Sequence, residues 1–338
     1  MTKMMSVAPA QPVSGQSAVR GGAPKGAEGR HGRGIAYCLA ATVSFGLMFP
    51  VMASAFAHID PFTFTSLRYL IAAAISLVLL RAREGRDAFR ANGEPIALAW
   101  FLGSVGFAGF GFLVFLGQQL AGRDGALTAS IMAATQPLLG VLVGAAARRV
   151  LPSRHTLGLV LLAFAGVVLV ITRGDFAGLL DGSQNYSADG LILLGLICWL
   201  VYTFGAGRFA TWSPLKYTTL TMSLGLTTIV AINLLLLAVD AIVWPAPADF
   251  AAVIPHILYM SLIGSLVGVL CWNLGNKILT PANGMLFMHV VPITAFVVSA
   301  ATGIRPTPIQ ILGACITGSA LILNSFYLRH QARRVGRP

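Results

Sequence analysis

Apolar residues run along this chain in stretches of membrane-spanning length, parted by short polar breaks, and one two-run layout occurs twice. In residues 126–172 an apolar run holding Pro137 meets a basic break, and a second run follows with Gly158 near its start. Residues 281–328 repeat the layout with Pro292 and Gly313, and in both copies the proline and glycine are 21 residues apart. The duplication extends upstream. Gly34 matches Gly190 at an offset of 156 and Pro61 matches Pro214 at 153, against 155 for the later pairs.

A helix needs about 20 apolar residues to cross the hydrocarbon. Ten runs have about that length: 34–57, 62–80, 96–120, 125–147, 155–172, 190–207, 214–239, 250–274, 281–302 and 308–328. No run alternates with a period of two, so helices are expected rather than barrel strands, because lipid forces each segment to bond its own amides. The longest break carries Asp175, Asp181, Asn185 and Asp189 and leaves five runs on either side. The expected organisation is an all-α integral membrane protein of ten transmembrane helices. Two five-helix repeats, 34–173 and 190–329, are joined by a polar linker at 174–189 and flanked by basic tails at 1–33 and 330–338. The first tail, rich in Gly, Ala, Ser and Pro, is expected to be disordered, and it lacks the apolar stretch of a cleaved secretory signal. An odd number of spans per repeat places the second copy upside down relative to the first. Inverted repeats let a central site open to either face, while duplication that only stabilises a bundle is the other reading.

Composition agrees with this solvent: 56% of residues are hydrophobic, 10% are charged and the mean hydropathy is +0.79. The net charge of +12 suits no nucleic acid, since no basic face interleaved with aromatics is present to receive one. It records orientation instead, because basic residues stay on the cytoplasmic side. With the N-terminus inside, the inner segments hold the basic tail, Arg81, Arg83, Arg86, Arg90, Arg148, Arg149, Arg154, Arg208, Lys216, Lys277 and the C-terminal arginines. The outer breaks hold only Arg123, Arg173 and Arg305. Both termini are therefore expected to be cytoplasmic, in a multi-pass plasma membrane protein of the bacterial inner-membrane type.

Four places carry a family resemblance. The first run reads Ala41 through Phe45, Gly46 and Phe49, similar to a small-x-x-x-Trp-Gly-x-x-Phe pattern; the second opens Asp60-Pro61 and reaches Leu67-Arg68-Tyr69. The sixth contains Cys198-Trp199 and Tyr202 and ends at Arg208, and the repeated proline-then-glycine layout is the fourth. Together these resemble the EamA-like members of the drug/metabolite transporter superfamily. Phe45 stands where that pattern often has Trp, and no acidic residue follows the fourth or ninth run. The resemblance implies a ten-helix permease for a small solute and leaves the solute open.

All eleven acidic residues fall in the tail, in breaks or at run ends. An intramembrane acid would announce a proton relay or sodium site; without one, exchange, facilitated diffusion or coupling through histidine remain. Arg68 is the informative charge. It lies seven residues past Pro61, about 10 Å along the helix. Either it faces a cavity and pairs with a substrate carboxylate, or it snorkels outward or bonds helix-end carbonyls. His289 can bind substrate or carry a proton, or bond a neighbouring helix. Trp199 and Tyr202 share a helix face, to stack on a ligand or to pack between helices. Ser44, Gln136 and Asn273 are further candidates for a polar lining. Pro137 and Pro292 free backbone carbonyls and mark static kinks or bends used in alternating access.

The glycines of the third and eighth runs suit close packing or bending. Gly140-x-x-x-Gly144 and Gly264-x-x-x-Gly268 permit helix contacts inside the bundle or at a dimer seam, so a monomer or weak homodimer is expected. Cys38, Cys198, Cys271 and Cys315 have no paired spacing, and neither metal nor cofactor is expected. The expected function is export of an amino acid or related carboxylate. A lipophilic drug exporter is the alternative, and a membrane enzyme or scaffold is disfavoured because the histidines and acids form no cluster.

Overall fold

The computed structural model describes residues 25–90, 93–148, 153–172, 174–175, 186–301 and 307–335. Expectations for residues 1–24, for most of the polar linker (176–185) and for Arg149, Arg173, Arg305 and Arg337 lie outside them. Every regular element among the described residues is helical. They are α1 (Lys25–Ala55), α2 (Pro61–Glu84), α3 (Ile96–Leu120), α4 (Gly125–Ala133), α5 (Gln136–Arg148) and α6 (Arg154–Thr172), then α7 (Tyr186–Gly205), α8 (Pro214–Ala238), α9 (Pro247–Leu279), α10 (Pro281–Gly284), α11 (Val290–Ala301) and α12 (Pro308–Val335).

Among the described residues seven helical stretches are long and apolar enough to cross a membrane, the seventh being Pro281–Val298, which runs from α10 into α11, and an eighth span results if α4 and α5, bent by 43° at their junction, are taken as one. α6 and α12 are apolar too, but the stretches that qualify are shorter. Where the sequence offers ten runs, the described residues thus give seven or eight spans and two shorter apolar helices. The reason for the fourth is local. Ala134 and Thr135 form a turn between α4 and α5, and Pro137 has no N–H to offer the carbonyl four residues back. In the second copy the corresponding irregularity is a 3₁₀ turn, Met285–His289, between α10 and α11. α1 begins at Lys25, so it takes in residues 25–33 of the stretch expected to be a disordered tail. Once the apolar run has formed a helix, adding Ala, Glu and Arg residues ahead of it is nearly free, because nucleation is the costly step.

Helix starts follow the sequence closely. Asp60 caps α2, its carboxylate accepting from the backbone N–H of Phe62 and Thr63 at 2.8 and 2.9 Å. Ser213 does the same for α8 through Lys216 N, and each cap is followed by a proline in the first turn, where its missing N–H costs nothing.

The main helix contacts join one repeat to the other: α1 with α9 and α11, α2 with α8, α3 with α7, and α6 with α12. Glycine permits several of them. A Cβ on Gly103 would run into the backbone of Thr221, and Gly225 faces Gly103 in return, so α3 and α8 meet backbone to backbone. The glycine-rich stretches of α3 and α9 also change geometry. Ser104–Gly109 and Met260–Gly268 are π-helical, and their first residues are 156 apart, the offset that relates Gly34 to Gly190. Packing and irregular backbone therefore occur together there. π stretches are rare and concentrate at functional sites.

Candidate functional site

A cavity lies where α1, α2, α3, α7 and α9 meet the broken helices α4/α5 and α10/α11. Phe45, Met48, Phe49, Arg68, Tyr69, Phe110, Gln136, Trp199, Gly264, Met288 and Val291 are among its lining. Its volume is about 20 Å³, room for roughly one water, so this conformation is constricted around its centre.

Arg68 is 1% exposed. The sequence left its direction open between cavity and lipid, and the structure has it turned inward. Its Nη2 donates to the Tyr69 hydroxyl at 3.1 Å, and its guanidinium carbon lies 4.3 Å from the Tyr69 ring centre and 4.9 Å from that of Phe115. Nε has no partner. Gly111 leaves it room, since a Cβ there would stand 2.8 Å from Thr65 Cγ2 and 3.3 Å from Nη2. Among the described residues the ion pairs are His58–Asp249 and Arg90–Asp87, both at helix ends, so no carboxylate neutralises Arg68. A buried cation held only by aromatic faces and one hydroxyl is costly unless something else supplies negative charge.

Two further predicted residues share the cavity. Gln136 opens α5 and is buried with Oε1 unpartnered, and Trp199 is buried with its indole N–H unpartnered. Around Trp199 the rings form a connected wall: Phe45 at 5.5 Å, Phe110 at 5.4 Å and Tyr202 at 5.2 Å between ring centres. Tyr202 and Asn273 stand one layer away, towards the bundle end that carries Arg208, Lys216 and Lys277. Asn273 Nδ2 donates to the Tyr202 hydroxyl and to Thr218 Oγ1, both at 2.8 Å, and Tyr217 donates its hydroxyl proton to the Tyr202 carbonyl at 2.9 Å. These groups form a hydrogen-bonded partition on that side of the cavity.

The other two predicted residues stand apart. Ser44 donates to the Ile263 carbonyl at 3.0 Å and packs against Gly268, so its hydroxyl satisfies the backbone of the π stretch of α9. His289 is half-buried, beside lining residue Met288, with Nε2 unpartnered; it is not among the lining residues. Sequence reasoning missed Tyr69, Phe49 and Phe110 as lining. The i, i+4 spacing of Phe45 and Phe49 in a run that also carries small residues was the available signal. Among the described residues no group of three His, Cys, Asp or Glu side chains is placed to hold a metal.

A duplicated bundle of apolar helices around a central cavity with an inward-facing cation defines a membrane carrier. Residues 32–172 and 186–326 each match the EamA-like transporter family, and the chain belongs to that family, as a multi-pass membrane transporter. It is 34% identical over 298 residues to the uncharacterized transporter YrdR of Bacillus subtilis, covering 88% of this chain and 92% of that one. It is 28% identical over 282 residues to the uncharacterized transporter YyaM of the same organism, covering 80% and 87%. A solved crystal structure shares the fold with a TM-score of 0.59 at 18% identity, covering 89% of this chain and 98% of the other.

Proposed function

We propose that this transporter is a ten-span carrier of two inverted five-helix repeats, 34–173 and 190–329, with both termini cytoplasmic in a bacterial inner membrane. It moves a small carboxylate, such as an amino acid, outward by alternating access. The single observation that carries the substrate class is the uncompensated guanidinium of Arg68 in the wall of the central cavity. A solute carboxylate would supply the missing charge, and Gln136 and Trp199 offer an acceptor and a donor beside it. A two-fold relation between the repeats is supported by the contact pattern, and the odd number of spans per repeat supplies the inversion. Exchanging the two repeats turns the α1–α9 contact into α7–α3 and leaves α2–α8 and α6–α12 as they are, and all four contacts are made. The glycines of the Gly264-x-x-x-Gly268 motif face Met48 and Ser44 of α1, which favours a monomer over a seam through that motif.

Ligand sites usually enclose about 300–1,000 Å³, so the helices around the cavity must separate to admit the solute. The π stretches of α3 and α9, the break before Pro137 and the 3₁₀ turn before Pro292 are the places where the backbone is already irregular. A second reading, export of lipophilic compounds, is favoured by the aromatic wall of Phe45, Phe110 and Trp199. The test is uptake and counterflow of a labelled amino-acid panel in proteoliposomes, with and without a pH gradient, comparing wild type with Arg68→Ala. Saturable carboxylate transport lost in the variant supports the reading. Movement of lipophilic cations with no amino acid transported overturns it in favour of the alternative.

A further inference from the structure

Beyond the Tyr202–Asn273 partition, at the bundle end where Arg208, Lys216 and Lys277 gather, lies a second pocket of about 210 Å³. The end of α7, the start of α8 and the last turns of α9 form its walls. Two lysines frame Trp212, which lines it. Lys277 Nζ donates to the Trp212 carbonyl at 2.7 Å and to the Ala210 carbonyl at 3.4 Å. Lys216 is 6% exposed; its Nζ donates to the Arg90 carbonyl at 2.6 Å and sits 5.0 Å from the Trp212 ring centre. Among the described residues neither lysine has a carboxylate within ion-pair distance. Glu84 and Glu94 approach the rim, but they accept from Ser213 Oγ and Thr211 Oγ1. Trp212 is 3% exposed and its indole N–H has no partner. That group can only donate, and its nitrogen is closed off from the pocket in this conformation, so the lysines supply the pocket's accessible positive character.

We propose that this pocket is a vestibular anion site, in which a carboxylate solute rests on Lys277 with the buried charge of Lys216 behind Trp212, one partition away from the central cavity. The identity of the anion rests on the carboxylate reading of Arg68; the sign of the pocket rests on its own residues. Because the basic end is the expected cytoplasmic one, the site raises the local concentration of anions at the side from which export starts. The site then hands them past Tyr202, whose hydroxyl and carbonyl are both held by side chains that also line or border the pocket.

The sign can be read without knowing the substrate. Gly207 lines the pocket and a Cβ there meets open space, so Gly207→Cys is introduced after replacing the four native cysteines by alanine. Reaction rates with anionic 2-sulfonatoethyl and cationic 2-trimethylammonioethyl methanethiosulfonate are each normalised to the rate with 2-mercaptoethanol. The anionic reagent is expected to react about tenfold faster, from charges about 6 Å apart in a water-like medium. The preference should fall in Lys277→Gln, with Arg208 and Lys216 sustaining the remainder, and persist in Lys277→Arg, which also controls for misfolding. Sodium benzoate should slow labelling in the wild-type background. A cationic preference, a ratio indifferent to Lys277→Gln, or no labelling by either reagent overturns the site. Arg68→Met should leave the ratio unchanged, so failure of the carboxylate reading at the cavity and failure of the vestibule are told apart.

Discussion

Arg68→Met removes the charge from the central cavity while keeping an unbranched apolar stem of similar reach. In the folded protein the substitution loses one hydrogen bond to the Tyr69 hydroxyl and two ring contacts. A hydrogen bond from a charged group contributes about 2 kcal/mol and each desolvated cation–ring contact about 1–2 kcal/mol, roughly 4–6 kcal/mol together. Against this, a guanidinium 1% exposed carries a desolvation cost of several kcal/mol that methionine does not. The two nearly cancel, and stability should change by no more than about 2 kcal/mol. Transport should not be spared. Losing one partner of a desolvated charge pair costs about 3 kcal/mol or more, which is over 100-fold in kcat/KM at about 1.4 kcal/mol per tenfold. Arg68→Lys restores the charge without the planar fork and should recover part of the loss. The measurements are thermal unfolding in detergent, followed by near-ultraviolet circular dichroism, and initial rates of carboxylate counterflow in proteoliposomes. A folded Arg68→Met protein that transports carboxylates at the wild-type rate refutes the reasoning, as does a Tm collapse matching a loss of every solute alike.

Gly103→Ala should lower the unfolding temperature in detergent, with a cost of about 1–3 kcal/mol for overpacking, because α3 and α8 meet backbone to backbone there; an unchanged Tm would mean the two helices separate freely. Asp60→Ala removes the acceptor for Phe62 N and Thr63 N and should cost about 1 kcal/mol, with Asp60→Asn recovering most of it in the same melt. For the topology, a single cysteine at Arg123→Cys should react with a membrane-impermeant maleimide on intact cells, and one at Arg86→Cys only after lysis; the reverse pattern inverts the orientation.

Periodicity and spacing revealed most of the scaffold because they depend only on which residues lipid tolerates. Run boundaries, the Asp60-Pro61 start of α2 and the two copies of the layout needed no tertiary information. What escaped depends on a second helix. Arg68 turns to the centre into the space beside Gly111 on α3 and against the Phe115 ring, neither of which sequence spacing ties to position 68; of its partners only Tyr69, the next residue, was in view. The π stretches were hidden for a related reason. A helix with one residue too many has the same composition as a regular one, and only its packing against Ser44 and Tyr202 exposes the extra residue. Ser44 looked like a lining group for its polarity, yet its hydroxyl satisfies a carbonyl of α9. The turn at Ala134 and Thr135 preceded its proline, so a kink at Pro137 was legible while a break into two helices was not.

The repeat offset of 153 carries Arg68 onto Thr221, which is buried on α8 and donates its hydroxyl proton to the Tyr217 carbonyl. The backbone was duplicated and the cation was not. In a carrier whose halves trade conformations, that difference breaks the equivalence of the two directions. A solute anchored at Arg68, as proposed above, would keep its charged end on the first repeat throughout the cycle, with its remainder along Trp199 of the second. On the proposed binding at Arg68, such a solute would cross by a pivot about its charged head rather than by tumbling end for end. Enantiomers would therefore present different faces to the same aromatic wall, and stereoselectivity becomes a property of which repeat holds the charge.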